Sequence, residues 1–185
     1  MKIYTRGGDD GMTGLLYGGR VPKDDPRTSV YGTLDEVVSA LGIARAAGLV
    51  DRVEAAVVRI QRQMFVVGAQ LATQEKNQDK LTPGVSRVTS EMTGEAEAEI
   101  DALVAEHPLP DEFILPGETG GSAGLDLART IVRRAEREAV ALDRQDLVPD
   151  PEILRYLNRV SDLLFALARY EEAERGRRAM PSRER

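Results

Sequence analysis

The chain has 185 residues, 42% hydrophobic and 30% charged, an ordinary balance for one globular domain with a sizeable core. It has no cysteine and one histidine, His107, which excludes disulfides and cysteine-ligated metal and all but excludes histidine-based zinc sites and histidine-dependent triads. A net charge of −6 argues against a nucleic-acid surface, no apolar run approaches the ~18 residues of a membrane span, and the opening Met1-Lys2-Ile3-Tyr4-Thr5-Arg6 lacks a signal-peptide core, so a cytoplasmic protein is expected.

Residues 1–27 are rich in Gly, Asp and Pro and carry no helical period. Val30, Leu34, Val37, Val38 and Leu41 then recur at three and four residues and predict a helix over about 28–48. Val53, Val57, Ile60, Met64, Val67 and Leu71 predict a second over about 51–73. Residues 74–89 are polar with a Pro-Gly and suggest a mobile loop. A third helix is expected over about 90–107, its end beside His107 favouring a helix-dipole role for that ring. After Pro108-Leu109-Pro110 comes a loop through Phe113 to Gly121. Ser122 is the expected cap of a fourth helix, about 122–144, with Ala128, Ile131, Val132, Ala135, Ala139 and Leu142 inward. Asp150-Pro151-Glu152 reads as a strong start for a fifth, about 151–175. Residues 176–185 are Arg-rich and expected to fray as a flexible tail. With no convincing strand, the fold class is all-α: a single domain over 1–185, with a loop at 1–27 and a five-helix bundle over about 28–175.

Four features could carry chemistry. In Thr5-Arg6-Gly7-Gly8-Asp9-Asp10-Gly11-Met12-Thr13-Gly14 the glycines let backbone N–H groups turn toward an anion; the alternative is an ordinary flexible terminus. It is neither a Walker P-loop nor a dinucleotide fingerprint. On the fourth helix, Arg129, Arg133, Glu136 and Arg137 fall on one stripe beside the apolar face, suited to forked bonds with a triphosphate, or simply solvated. Asn158 and Asp162 lie one turn apart on the fifth helix, where interhelical hydrogen bonding is the plainer reading, especially for Asp162. Asp35 stands beside the buried stripe of the first helix and wants a cationic partner; Lys23 is a loose cation upstream of it.

Together these segments resemble the PduO-type ATP:cob(I)alamin adenosyltransferases from Tyr4 to about Glu172. The carriers are T-R-G-G-D-D-G-M-T-G-L-L, P-K-D-D-P-R, Y-G-T-L-D-E, I-Q-R-Q-M-F-V-V-G-A-Q-L-A, F-I-L-P-G, A-R-T-I-V-R-R-A-E-R and Y-L-N-R-V-S-D-L-L-F, in the family's order. The resemblance implies a homotrimeric five-helix bundle with sites between subunits, using ATP, cob(I)alamin and Mg²⁺. It implies ATP contacts at Thr5, Arg6, Gly7, Gly8, Thr13, Gly14, Lys23, Arg133, Arg134, Ala135, Glu136, Arg137 and Asn158. Asp35 and Arg129 would pair between subunits, and Phe113 would lie beneath the corrinoid ring; with Arg133 these form the catalytic set. The family usually opens T-K-T-G-D, where Arg6 and Gly7 stand here; Glu118 follows Gly117 in place of glycine, and Asp126 replaces the common His or Asn. A cobalamin-dependent mutase and a reductase are implied as partners. A non-catalytic nucleotide or cobalamin carrier, and a purely structural trimer, are the competing readings.

Overall fold

The computed structural model describes residues 3–4 and 6–183. Five long helices dominate the described residues: α1 (Pro26–Ala46), α2 (Asp51–Leu71), α3 (Ser90–Glu106), α4 (Gly120–Asp143) and α5 (Glu152–Glu174). They pack as neighbours in the order α2, α1, α4, α5, α3, with α2 also touching α5. Each turns an apolar stripe inward. Val30, Val37, Leu41, Val57, Val132, Ala135, Leu157 and Leu164 are all fully buried in one continuous core. Aliphatic side chains fill it, each burial worth roughly 1.5–3 kcal/mol for a Val or Leu. Tyr156 and Tyr170 add aromatic rings; Tyr156 is fully buried, and its hydroxyl donates to Gln63 Oε1 at 2.6 Å. Gly124 shows how closely α1 and α4 approach, since a Cβ there would meet Ala44 Cα at 2.8 Å.

The helix starts follow capping chemistry. Asp25 caps α1, accepting from Arg27 N at 3.0 Å, and Pro26 opens the helix. Asp150 Oδ1 accepts from Glu152 N at 2.9 Å at the head of α5. For α4 the cap is Thr119 and not Ser122: the two exchange reciprocal bonds as a capping box, starting the helix two residues earlier than the sequence suggests.

Three connections differ from expectation. Residues 74–89 contain a 3₁₀ turn over Glu75–Lys80, tied to α2 by Gln78 Nε2 donating to Gln70 O at 3.1 Å and by Val88 N donating to Gln70 Oε1 at 2.8 Å. Polar side chains there satisfy backbone groups, which hydropathy cannot register. Short strands also occur. In the N-terminal segment β1 (Met12–Gly14) pairs antiparallel with β2 (Arg20–Pro22). Within the segment expected to fray, Met180–Pro181 forms β4, paired with β3 (Ile114–Leu115). His107 caps the end of α3, but its polar contact is Glu174 Oε1, 2.9 Å from Nε2, with Tyr170 edge-on to the ring.

Candidate active site

The phase of α4 sets the site. Ala128, Val132, Ala135 and Ala139 are fully buried, so Arg129, Arg133, Glu136 and Arg137 emerge along the edge beside α5. Two clefts meet there, and Arg133 lines both. The larger, about 790 Å³, is walled by Leu109, Phe113 and Pro116 from the loop, Ile100 from α3, Arg129 from α4 and Phe165 from α5. That volume suits a sizeable ligand, and Glu97, Asp101, Arg159 and Asp162 add charge to the apolar wall. The smaller, about 510 Å³, is lined by Arg133, Glu136, Arg137, Arg144 and Asn158, with Val140 at its wall.

Fixed contacts surround Arg133. Asn158 Nδ2 donates to Glu136 Oε1 at 2.9 Å, bridging α5 to α4. Arg137 Nη1 donates to the Arg133 carbonyl at 3.0 Å. The Arg133 guanidinium itself has no protein partner among the described residues, although it stands where the two clefts join. A guanidinium left to water in a concave site is set to take an anion.

Other residues of the expected set fall elsewhere. Ala135 is fully buried in the core, so its methyl cannot meet a ligand; it spaces the arginines on either side. Arg134 turns toward α1 and pairs with Glu36. Asp162 bonds within its own helix, accepting from Arg159 Nη1 at 3.1 Å, and lines the large cleft. Asp35 lies in a third, apolar cleft of about 330 Å³ between α1 and α2, with Leu16, Tyr31, Val38 and the exposed ring of Phe65. Arg129 is not its partner within the chain: its Nε donates to Asp126 Oδ1 at 3.3 Å and its guanidinium sits over Phe165, 5.7 Å from the ring centre.

The N-terminal hairpin belongs to the Asp35 side. Leu16 N donates to Ala72 O at 2.9 Å at the end of α2. The turn is braced by Asp10, whose Oδ1 accepts from Met12 N at 3.1 Å and Arg20 Nη2 at 2.9 Å; the backbone N–H foremost, and then Arg20, hold this carboxyl below its usual range. Arg20 also reaches the Gly7 carbonyl. Gly8 leaves room for Lys23, whose Nζ would stand 3.2 Å from any added Cβ. Arg6, exposed, adopts φ 61°, a conformation uncommon for a non-glycine residue. Thr13 pairs across the hairpin with Val21 and Gly14 with Arg20, while Thr5 lies outside the described residues.

Phe113 is 87% exposed. It does not plug its loop onto the bundle. The loop is held through its backbone, Ser182 N donating to Phe113 O at 2.8 Å beside the β3–β4 pair, which leaves the ring at the mouth of the large cleft. Sequence reasoning missed Phe165 and Arg169, and noted Asp126 only as a departure from the family pattern. Phe165 could have been noticed as an aromatic on the polar edge of α5, but the buried Asp126–Arg169 pair joins residues 43 apart and has no local signal.

A helical bundle with an unpaired arginine between an aromatic cleft and a cationic one is a small-molecule site built without a P-loop. The family model for cobalamin adenosyltransferase matches residues 3–171. A corrinoid adenosyltransferase of Citrobacter freundii is 40% identical over 171 residues, covering 92% of this chain and 95% of that relative. One from Bacillus subtilis is 42% identical over 181 residues, covering 95% and 89%. A phenylalanine-to-histidine variant of a PduO-type ATP:corrinoid adenosyltransferase from Lactobacillus reuteri, complexed with cobalamin and ATP, matches with a TM-score of 0.88 at 32% identity, covering 99% of this chain and 97% of that one. The chain belongs to the cobalamin adenosyltransferase family. Among the described residues no helix is long and apolar enough to cross a membrane.

Proposed function

We propose that this chain transfers the 5′-deoxyadenosyl group of ATP to cob(I)alamin, releasing tripolyphosphate and forming adenosylcobalamin. The observation that carries this reading is the unpaired guanidinium of Arg133, shared by an aromatic cleft fit for a macrocycle and a cationic cleft fit for phosphates. In the reaction the electron pair of Co(I) forms a bond to C5′ of ATP. The C5′–O bond breaks, and its electrons leave with tripolyphosphate. No proton is transferred, so no side-chain base is required, in keeping with a chain that has a single histidine. The protein positions the substrates and stabilises the leaving group. Arg133 and Arg137 meet the growing phosphate charge, joined by Lys23 and the N-terminal hairpin; Asn158 and Glu136 hold the floor of that cleft. Glu136 is the carboxylate in the phosphate cleft, and Mg²⁺ entering with ATP would be held by the phosphates with Glu136 beside it.

The hairpin and Asp35 lie beside a different cleft from Arg129, Arg133 and Arg137. This division supports a homotrimer in which the hairpin of one copy completes the site of the next and Asp35 pairs with Arg129 across the interface. A reductase would supply the electrons, a cobalamin-dependent mutase would take the product, and the cytoplasm, where ATP and reductants coexist, is the compartment. The test is the absorption spectrum of chemically reduced cobalamin with ATP, with and without the protein. Conversion to the adenosylated form is expected; binding of both substrates without conversion would make the chain a carrier.

A further inference from the structure

Behind the large cleft lies an ionic cluster that the adenosyl-transfer scheme does not use. Asp126 on α4 is buried, and each of its oxygens takes one arginine. Oδ1 accepts from Arg129 Nε at 3.3 Å, and Oδ2 accepts from Arg169 Nη2 at 2.6 Å. Arg169, on α5, is buried as deeply and also bonds Glu172, its Nη2 donating to Oε1 at 2.9 Å. Both guanidiniums share the ring of Phe165, at 5.7 Å for Arg129 and 5.1 Å for Arg169.

Arg169 and Glu172 already form a neutral buried pair, so Arg169 alone does not demand Asp126. The charge that Asp126 balances is that of Arg129, which is only partly buried and lines the cleft. Arg129 is gripped at Nε and across the face of Phe165, while its two Nη groups make no protein hydrogen bond among the described residues. An arginine held this way has lost most of its rotamer freedom before any ligand arrives, yet keeps its donor fork.

We propose that Asp126 is a positioning residue: anchored by Arg169, it holds Arg129 through Nε so that the Nη fork is presented at the cleft, to acceptors there that include a neighbouring copy's carboxylate. This rests on the proposed adenosyl transfer for its kinetic consequence, but not for its geometry. Asp126→Asn keeps the shape and the neutral Arg169–Glu172 pair while weakening the grip on Arg129. It should lower kcat/KM for adenosyl transfer by roughly tenfold, the loss expected for a hydrogen bond to a charged group. In an Arg129→Ala background the same substitution should change kcat/KM by less than about twofold, because a residue acting through Arg129 has nothing left to position. A loss of equal size in both backgrounds would make Asp126 a purely structural residue. Should Asp126→Asn fail to give folded protein, Asp126→Glu, which keeps the charge but displaces it by one methylene, is run through the same cycle with the same two outcomes. An independent readout is the Arg129 Nε–H signal in ¹⁵N NMR, expected to exchange slowly in the unaltered protein and rapidly in Asp126→Asn. Equal exchange in both would overturn the proposal even if turnover fell. An inactive unaltered chain would instead remove the proposed function, and the exchange rates would still decide this one.

Discussion

The two cationic parts of the candidate site are built in opposite ways. On α4, Arg129, Arg133 and Arg137 stand on a helix whose other face is fully buried, and their neighbours Glu136 and Asp126 are fixed by Asn158 and Arg169. In the N-terminal segment, Arg6 and Lys23 stand on a glycine-rich hairpin whose buried anchors are Leu15 and Val21, braced by one exposed Asp10–Arg20 pair. The first wall is in place before ligand arrives. The second is held by few contacts, and in the proposed reaction contact with phosphate would supply the rest of its order. In that reaction the rigid wall would govern the chemical step, and the hairpin capture and closure.

The largest effect should come from the rigid wall. Arg133→Ala removes a charge-assisted contact worth ~1.5–3 kcal/mol, or roughly tenfold to hundredfold in kcat/KM at subsaturating ATP. Steady-state kinetics check this, and near-normal values would place Arg133 in solvent and reverse the comparison. Phe113→Ala tests the other cleft. An axial nitrogen ligand beneath cobalt makes Co(II) harder to reduce, and an apolar ring in that space cannot coordinate and excludes water. ATP binding should stay nearly intact. Adenosylation should fall when Co(II) must be reduced in the site and fall much less when Co(I) is supplied. With ATP bound, the unaltered protein should show a four-coordinate Co(II) spectrum that the variant lacks; identical five-coordinate spectra would leave Phe113 without a part in cobalt chemistry.

These predictions draw on parts of the molecule that were unequally legible in the sequence. The α4 stripe could be read because burial on a helix follows a 3.6-residue period, and Ala128, Val132 and Ala139 keep it. The same period explains why Ala135, which the family pattern places among ATP contacts, faces the core. Phe113 stood out by resemblance, but its exposure did not, because β4 holds its loop and a two-residue strand of Met180–Pro181 has no periodicity to detect. The division of the site between the hairpin side and the α4 side was equally hidden, being a matter of which helices are neighbours.

Asp35 tests that division. Asp35 is exposed within one copy, so the proposed subunit interface must cover its pair; broken on one side, a pair so covered costs more than the ~0–1 kcal/mol of a surface pair. Asp35→Arg should impair assembly or activity, and Arg129→Asp in the same chain should restore part of it. Sedimentation and turnover measure both, and a double variant no better than the worse single one would remove the cross-interface pair. The hairpin itself is tested by trypsin. Cleavage after Arg6, Arg20 and Lys23 should slow when ATP and Mg²⁺ are added, while cleavage rates elsewhere in the bundle change less. Equal cleavage at those three sites with and without ATP would show that the hairpin does not close on nucleotide.

The smallest effect lies at the junction of the two regions. Asp25 is two residues beyond Lys23 and caps α1, the helix packed against α4, so it fixes where the hairpin joins the bundle. Its Oδ1 accepts from Arg27 N and Nε and its Oδ2 from Arg27 Nη2, all at 3.0 Å. The Arg27 guanidinium foremost, and then the backbone N–H, hold this carboxyl below its usual range against an opposing push from burial. A carboxyl depressed in the folded state stabilises it fully at pH values above the unfolded pKa of ~3.9, and that contribution is lost as pH falls through the folded value. Asp25→Ala should therefore cost about 1 kcal/mol at neutral pH, the usual worth of an N-cap. The difference in melting temperature from the unaltered protein should shrink as pH drops from 7 toward 3, because acid removes the same interaction from both. A difference that stays constant over that range would mean that Asp25 acts through shape and not through charge. Because the rigid wall does not depend on this cap, kcat at saturating ATP should hardly move, while protection of the Lys23 bond by ATP should weaken. A variant that lost kcat instead would show that the two walls are mechanically one.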